Sequence, residues 1–98
     1  MGCGPLQTRQ QLSVYVLESL NLEYKTDFME VSEKTPLSPA PSRGIGLDDA
    51  GKMKIGTFFD LGFHRKCPNT KISAPTVFVN CKSVKDVVDI LAGDIDVK

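Results

Sequence analysis

Ser73-Ala74-Pro75-Thr76-Val77-Phe78-Val79-Asn80-Cys81-Lys82-Ser83-Val84-Lys85-Asp86-Val87-Val88-Asp89-Ile90-Leu91-Ala92-Gly93 is the stretch on which the fold turns. Its first half is rich in β-branched and aromatic residues and predicts a strand over 76–80. Its second half spaces Val84, Val87, Val88 and Leu91 at i, i+3, i+4 and i+7, which is the apolar face of a helix. Ser83 stands as the N-cap, with Asp86 as its acidic partner near the positive end of the helix dipole, and Gly93 stands as the stop. A strand that feeds a helix within a few residues packs that helix back on its own sheet, so this stretch predicts an α+β domain.

Earlier in the chain, Met53, Ile55, Thr57, Phe59, Leu61 and Phe63 alternate with Lys52, Lys54, Gly56, Phe58, Asp60 and Gly62. That unbroken period of two predicts a strand over 53–63. Phe58 is the odd residue of its polar face and marks either a partner surface or a patch covered by the preceding loop. Thr8-Arg9-Gln10-Gln11 has the form of a capping box. Leu12, Val16 and Leu20 follow at i, i+4 and i+8 with Leu17 beside them, a helical stripe that Asn21 is placed to end in a left-handed conformation. Leu22, Tyr24, Thr26 and Phe28 then alternate with Glu23, Lys25 and Asp27, predicting a half-buried strand to about Val31. Residues 33–51 carry Pro36, Pro39 and Pro41, then Gly44, Gly46 and Gly51, and no periodicity, which predicts a long loop. The 98 residues are thus expected to form one domain of α+β class, α-β-β-β-α. Its expected architecture is a two-layer sandwich, a three-stranded antiparallel sheet with two helices on one face.

Lys and Arg together number 12, as do Asp and Glu, so no global field draws in nucleic acid or an anionic membrane, and an electrostatic partner has to be recruited by a local patch. No apolar run approaches the roughly 18 residues that a membrane span needs. The three cysteines, Cys3, Cys67 and Cys81, are odd in number and scattered, and the amino-terminal residues lack the pattern of a signal peptide. A reducing, intracellular compartment is the expectation. Met1-Gly2-Cys3 resembles the start of a lipidation signal, but the usual acceptor pattern wants Ser or Thr where this chain has Leu6.

The densest basic cluster is His64-Arg65-Lys66, in a predicted loop closed by Lys71. With Lys82 and Lys85 at the start of the last helix it forms the candidate binding surface, a phosphate or nucleic-acid contact with Phe63 nearby to stack on a base. His64 has no Ser, Cys or carboxylate at a telling spacing, so no catalytic residue is assigned. Cys67 sits among cations that favour a thiolate, whereas Cys81 reads as a small filler at the strand-to-helix turn. The cysteines and the histidine lack the paired spacing of a zinc site, so no metal and no cofactor is expected. Thr35-Pro36 and Ser38-Pro39 are proline-directed hydroxyls, and Pro36-x-x-Pro39 is a minimal polyproline pattern with Arg43 placed late for it.

The order α-β-β-β-α, with a short turn into a Ser-capped last helix, resembles the double-stranded RNA-binding domain over most of the chain. In that family basic residues at the start of the last helix grip phosphates. The matching positions here read Lys82-Ser83-Val84-Lys85-Asp86-Val87-Val88, so the resemblance implies contacts from Lys82 and Lys85 alone. A degenerate copy that binds protein fits the neutral charge better. A second set of residues resembles the glutaredoxin-like proteins of the thioredoxin fold. Leu17-Glu18-Ser19-Leu20-Asn21-Leu22-Glu23-Tyr24 looks like their first helix running into its strand, and Ala74-Pro75-Thr76-Val77-Phe78-Val79-Asn80-Cys81-Lys82 like their cis-proline strand. That likeness implies an active thiol at Cys3 or Cys67 facing a cis Pro75. With one sulfur in Cys3-Gly4-Pro5-Leu6 it implies a monothiol route using an external thiol. The primary expectation is a non-catalytic binding module, a subunit of a protein or ribonucleoprotein assembly; the alternative is a thiol-redox protein.

Overall fold

The computed structural model describes residues 3–23, 32–37, 47–68 and 70–97. They form three α-helices, α1 (Arg9–Glu23), α2 (Asp49–Lys66) and α3 (Val84–Asp94), with a 3₁₀ helix at Pro75–Asn80 between the last two. Among the described residues there is no β-sheet; the only pairings are isolated bridges, Cys3 with Leu6 and Pro36 with Ser83. The expected sandwich of a three-stranded sheet and two helices is therefore overturned, and so is the thioredoxin-like alternative. Both resemblances lose the topology on which they rested.

The decisive difference is the predicted strand over 53–63, which is the body of α2. Ile55, Phe59 and Phe63 lie at i, i+4 and i+8, a spacing that satisfies a period of two and a helical period together. All three are buried, while Met53, Thr57 and Leu61, which a strand would bury beside them, are exposed. Helix wins because both ends are specified. The Asp48 carboxylate accepts the Gly51 N–H at 2.8 Å as N-cap, Asp49 occupies the positive end, and His64, Arg65 and Lys66 occupy the last turn. Within the helix, the Thr57 hydroxyl donates to the Met53 carbonyl at 3.1 Å, so this residue is satisfied on the solvent side.

The predicted strand over 76–80 is also helical. With no neighbouring strand its backbone donors must be satisfied locally, and 3₁₀ turns do so: Val77 N–H donates to the Ala74 carbonyl at 2.9 Å and Cys81 N–H to Phe78 at 3.1 Å. Pro75 at the first position fits that geometry. The turn drives Phe78 into the core against α2 at Gly56. Of the predicted strand over 22–31, residues 22 and 23 belong to α1, which runs past Asn21, and 24–31 lie outside the described residues.

The two remaining helices follow the sequence closely. The capping box of α1 is complete: Gln11 N–H donates to the Thr8 hydroxyl and Thr8 N–H to the Gln11 side chain, each at 3.1 Å. Leu12, Val16 and Leu20 are buried with Leu17 packed beside them. Val84, Val87, Val88 and Leu91 of α3 are fully buried. The Asp86 carboxylate reaches back to accept Ser83 N–H at 3.3 Å and Lys82 N–H at 2.8 Å. Residues 32–37 run beside the start of α3, where Thr35 and Glu33 carbonyls accept Val84 and Lys85 N–H at 3.0 and 2.8 Å. Those two donors would otherwise be orphans of the first turn. Leu37 and Leu47, both buried, are joined by a 2.9 Å backbone hydrogen bond. One core holds Phe59, Phe63 and Phe78 with the aliphatic faces of α1 and α3; each fully buried aromatic contributes roughly 1.5–3 kcal/mol.

Candidate functional site

The predicted basic residues fall on three parts of the chain. His64, Arg65 and Lys66 are exposed on the last turn of α2, not in a loop, and they complement the negative end of its dipole. Lys71 is exposed in the segment before the 3₁₀ helix. Lys82 and Lys85 are exposed at the start of α3, where their backbones pair with Leu37 and Glu33. Phe63, assigned to base stacking, is fully buried.

What the helical form of α2 does assemble is a groove of about 470 Å³ lined by Tyr15, Phe58, Leu61, Gly62, Arg65 and Lys66. Phe58, Leu61, Gly62 and Arg65 fall at i, i+3, i+4 and i+7, one face of the helix. Phe58 stays 40% and Leu61 60% exposed. Phe58 leans edge-on against Phe59, ring centroids 5.3 Å apart. Tyr15 crosses from α1 to form the wall. Its ring stacks on Phe63 at 5.7 Å and meets Phe59 edge-on at 5.9 Å. Gly62 makes room for its hydroxyl, from which a Cβ there would stand only 2.6 Å. Burial pushes the pKa of the Tyr15 phenol above its ordinary value, and a hydrogen bond with Ser19 partly offsets that. The Lys66 ammonium sits over the same ring, 5.2 Å from its centroid, a cation–π contact. The groove therefore has an apolar floor with cations at its rim. Arg65 and Lys66 were visible as candidates in the sequence. Tyr15 and Leu61 were not, because they join them only once 53–63 is wound as a helix.

The candidate thiols are not free. Cys3 and Cys67 form a disulfide with Cα atoms 5.3 Å apart, joining the amino-terminal turn to the end of α2. Among the described residues no peptide bond is cis, so Pro75 is trans, at the start of a 3₁₀ helix. The implied monothiol site of Cys3 or Cys67 facing a cis Pro75 is thereby corrected. The remaining thiol, Cys81, is buried, and burial first, then the Asp86 carboxylate, pushes its pKa up to about 11, with Lys52 opposing. It is a filler and not a nucleophile.

Thr35 is 6% exposed and its hydroxyl accepts Ser32 N–H at 2.9 Å, so it is not presented for modification. Ser38, Pro39 and Arg43 lie outside the described residues. A polar cluster elsewhere is structural: one Arg9 nitrogen meets Glu33 at 2.8 Å and Asp89 at 2.7 Å, and the Ser13 hydroxyl donates to Glu33 at 2.9 Å. This ties α1, segment 32–37 and α3 together. No helix among the described residues is long and apolar enough to cross a membrane.

Comparison of the chain with protein-family models, with curated proteins and with solved structures finds no match.

Proposed function

We propose that the chain is a non-catalytic binding module, a subunit of a protein assembly, and that it docks a protein segment carrying apolar side chains flanked by carboxylates. The observation that supports this is the groove at Tyr15, Phe58 and Leu61, an exposed apolar floor with Arg65 and Lys66 on its rim. Leu61, 60% exposed, and Phe58, 40% exposed, lie together on one helix face beside Tyr15, and it is contiguous exposed apolar surface of this kind that a docking partner covers. The rim cations select an acidic flank and reject a basic one.

The test begins with peptides selected from a random display library on the full chain. Each is then titrated into the chain and followed by amide-resolved NMR. The expected consensus is apolar and acidic, with shifts at Tyr15, Phe58, Leu61 and Arg65 that vanish in Leu61→Asp. Selected peptides that shift other residues, or survive Leu61→Asp, overturn the proposal. A short RNA duplex titrated at low salt is the competing arm: salt-sensitive shifts at 64–71 and 82–88 would favour phosphate contacts instead.

A further inference from the structure

Resting on the groove reading above, we infer that the Cys3–Cys67 disulfide regulates the groove: oxidised, it fixes the amino-terminal turn and Lys66 at the rim, and reduced, it releases them. Cys67 follows Lys66 directly. Cys3 opens a turn closed by reciprocal backbone hydrogen bonds with Leu6, 2.9 Å each way. Gly4 of that turn has φ +58, a left-handed conformation, and lies against Lys66: a Cβ at Gly4 would stand 3.4 Å from the Lys66 carbonyl oxygen and 3.5 Å from its Cβ. Lys66, itself exposed, thus has this turn beside its backbone and Cβ and the Tyr15 ring under its ammonium. An exposed lysine left to itself samples many rotamers. The turn narrows that choice, and the disulfide holds the turn.

The switching step needs a dithiol reductant. Cys3 is 0% exposed and Cys67 half-buried, so the reductant's thiolate attacks the Cys67 sulfur. The S–S bond breaks and Cys3 leaves as a thiolate that takes up a proton. The reductant's second thiol then displaces Cys67 from the mixed disulfide, becoming oxidised itself. Two electrons and two protons pass to the protein.

The experiment records NMR spectra of the full chain, oxidised and reduced, and measures the affinity of one selected acidic peptide for both forms and for Cys3→Ser/Cys67→Ser. Reduction should shift residues 3–6, 66 and 67 and the Tyr15 ring, leave Val87 and Leu91 of α3 unmoved, and weaken the peptide about tenfold. The double variant should match the reduced form. Unmoved Tyr15 and Lys66 signals, or equal affinities, overturn the inference while the docking proposal stands. Loss of the α3 signals on reduction also overturns it, since the disulfide is then a staple of the whole fold. Failure of the peptide to bind either form counts against the docking proposal, and the Tyr15 shift still decides the switch.

Discussion

Gly56 of α2 and Pro75 of the 3₁₀ helix touch backbone to backbone: a Cβ at Gly56 would lie 2.8 Å from the Pro75 Cα and 2.7 Å from a Phe78 ring carbon. This contact sets how closely the 3₁₀ helix packs on α2, and with it the depth of Phe78. Neither obstacle is the free end of a flexible chain, so the backbones must part.

Gly56→Ala should therefore destabilise the fold. Helix propensity gains about 1 kcal/mol, but overpacking costs roughly 1–3 kcal/mol, leaving a net loss of about 1 kcal/mol. Gly93→Ala is the matched control. Gly93 is exposed within α3, its added Cβ meets nothing within 4 Å, and only the propensity gain of about 0.5–1 kcal/mol remains. Denaturant midpoints should move in opposite directions; a parallel shift would sink the packing account of Gly56.

Asp96 offers a second route to stabilisation. It, and not Gly93, is the left-handed residue after α3, with φ 55. Val97 N–H donates to the Ala92 carbonyl at 3.0 Å and Asp96 N–H to the Gly93 carbonyl at 3.3 Å, the paired bonds of a Schellman ending. An aspartate there is strained and adds a negative charge at the negative end of the dipole. Asp96→Gly should raise the unfolding free energy by about 1 kcal/mol. Thermal melts that show no gain would mean that the side chain makes a compensating contact.

The contrast between α2 and α3 shows what was legible. Val84, Val87, Val88 and Leu91 are spaced as only a helix allows, and the sequence alone assigned them. Ile55, Phe59 and Phe63 share their register with a strand's alternate residues. The information that separates the two lay outside the run, in Asp48 and Asp49 before it and His64-Arg65-Lys66 after it. Reading that basic triplet as a loop removed the helix's own ending and hid the groove face of Phe58, Leu61 and Arg65. The Cys3–Cys67 pair was hidden for another reason. An odd cysteine count with 64 residues of separation says nothing about pairing until the ends of the intervening chain are brought together.

Cys81 should behave as an inert thiol in the native state. Burial keeps it protonated well above neutral pH, and the thiolate is the reactive species. An aromatic disulfide reagent at pH 8 should leave the oxidised native chain unlabelled, while the same chain in denaturant releases one equivalent, because Cys81 is the free cysteine. Rapid native labelling at Cys81 would show that the turn between the 3₁₀ helix and α3 opens locally, against the burial found here.

The Arg9–Glu33 pair carries a pH dependence with a definite sign. The Arg9 guanidinium holds the Glu33 carboxyl below its ordinary value of 4.5; burial opposes that shift, and the Ser13 hydroxyl adds to it. A carboxyl whose folded value is depressed favours the folded state when ionised. Its contribution is therefore fully present above about pH 4.5 and is lost as pH falls through the lower folded value. Both side chains are about a third exposed, so the contribution is modest, about 1 kcal/mol, and screened by salt. Glu33→Gln should lose that amount at pH 7. It keeps a neutral partner for Ser13, and the gap to the unsubstituted chain should close progressively below pH 4.5. A gap that is constant from pH 7 to pH 3, or unaffected by salt, would mean that Glu33 acts through its hydrogen bonds alone and not through the charge of Arg9.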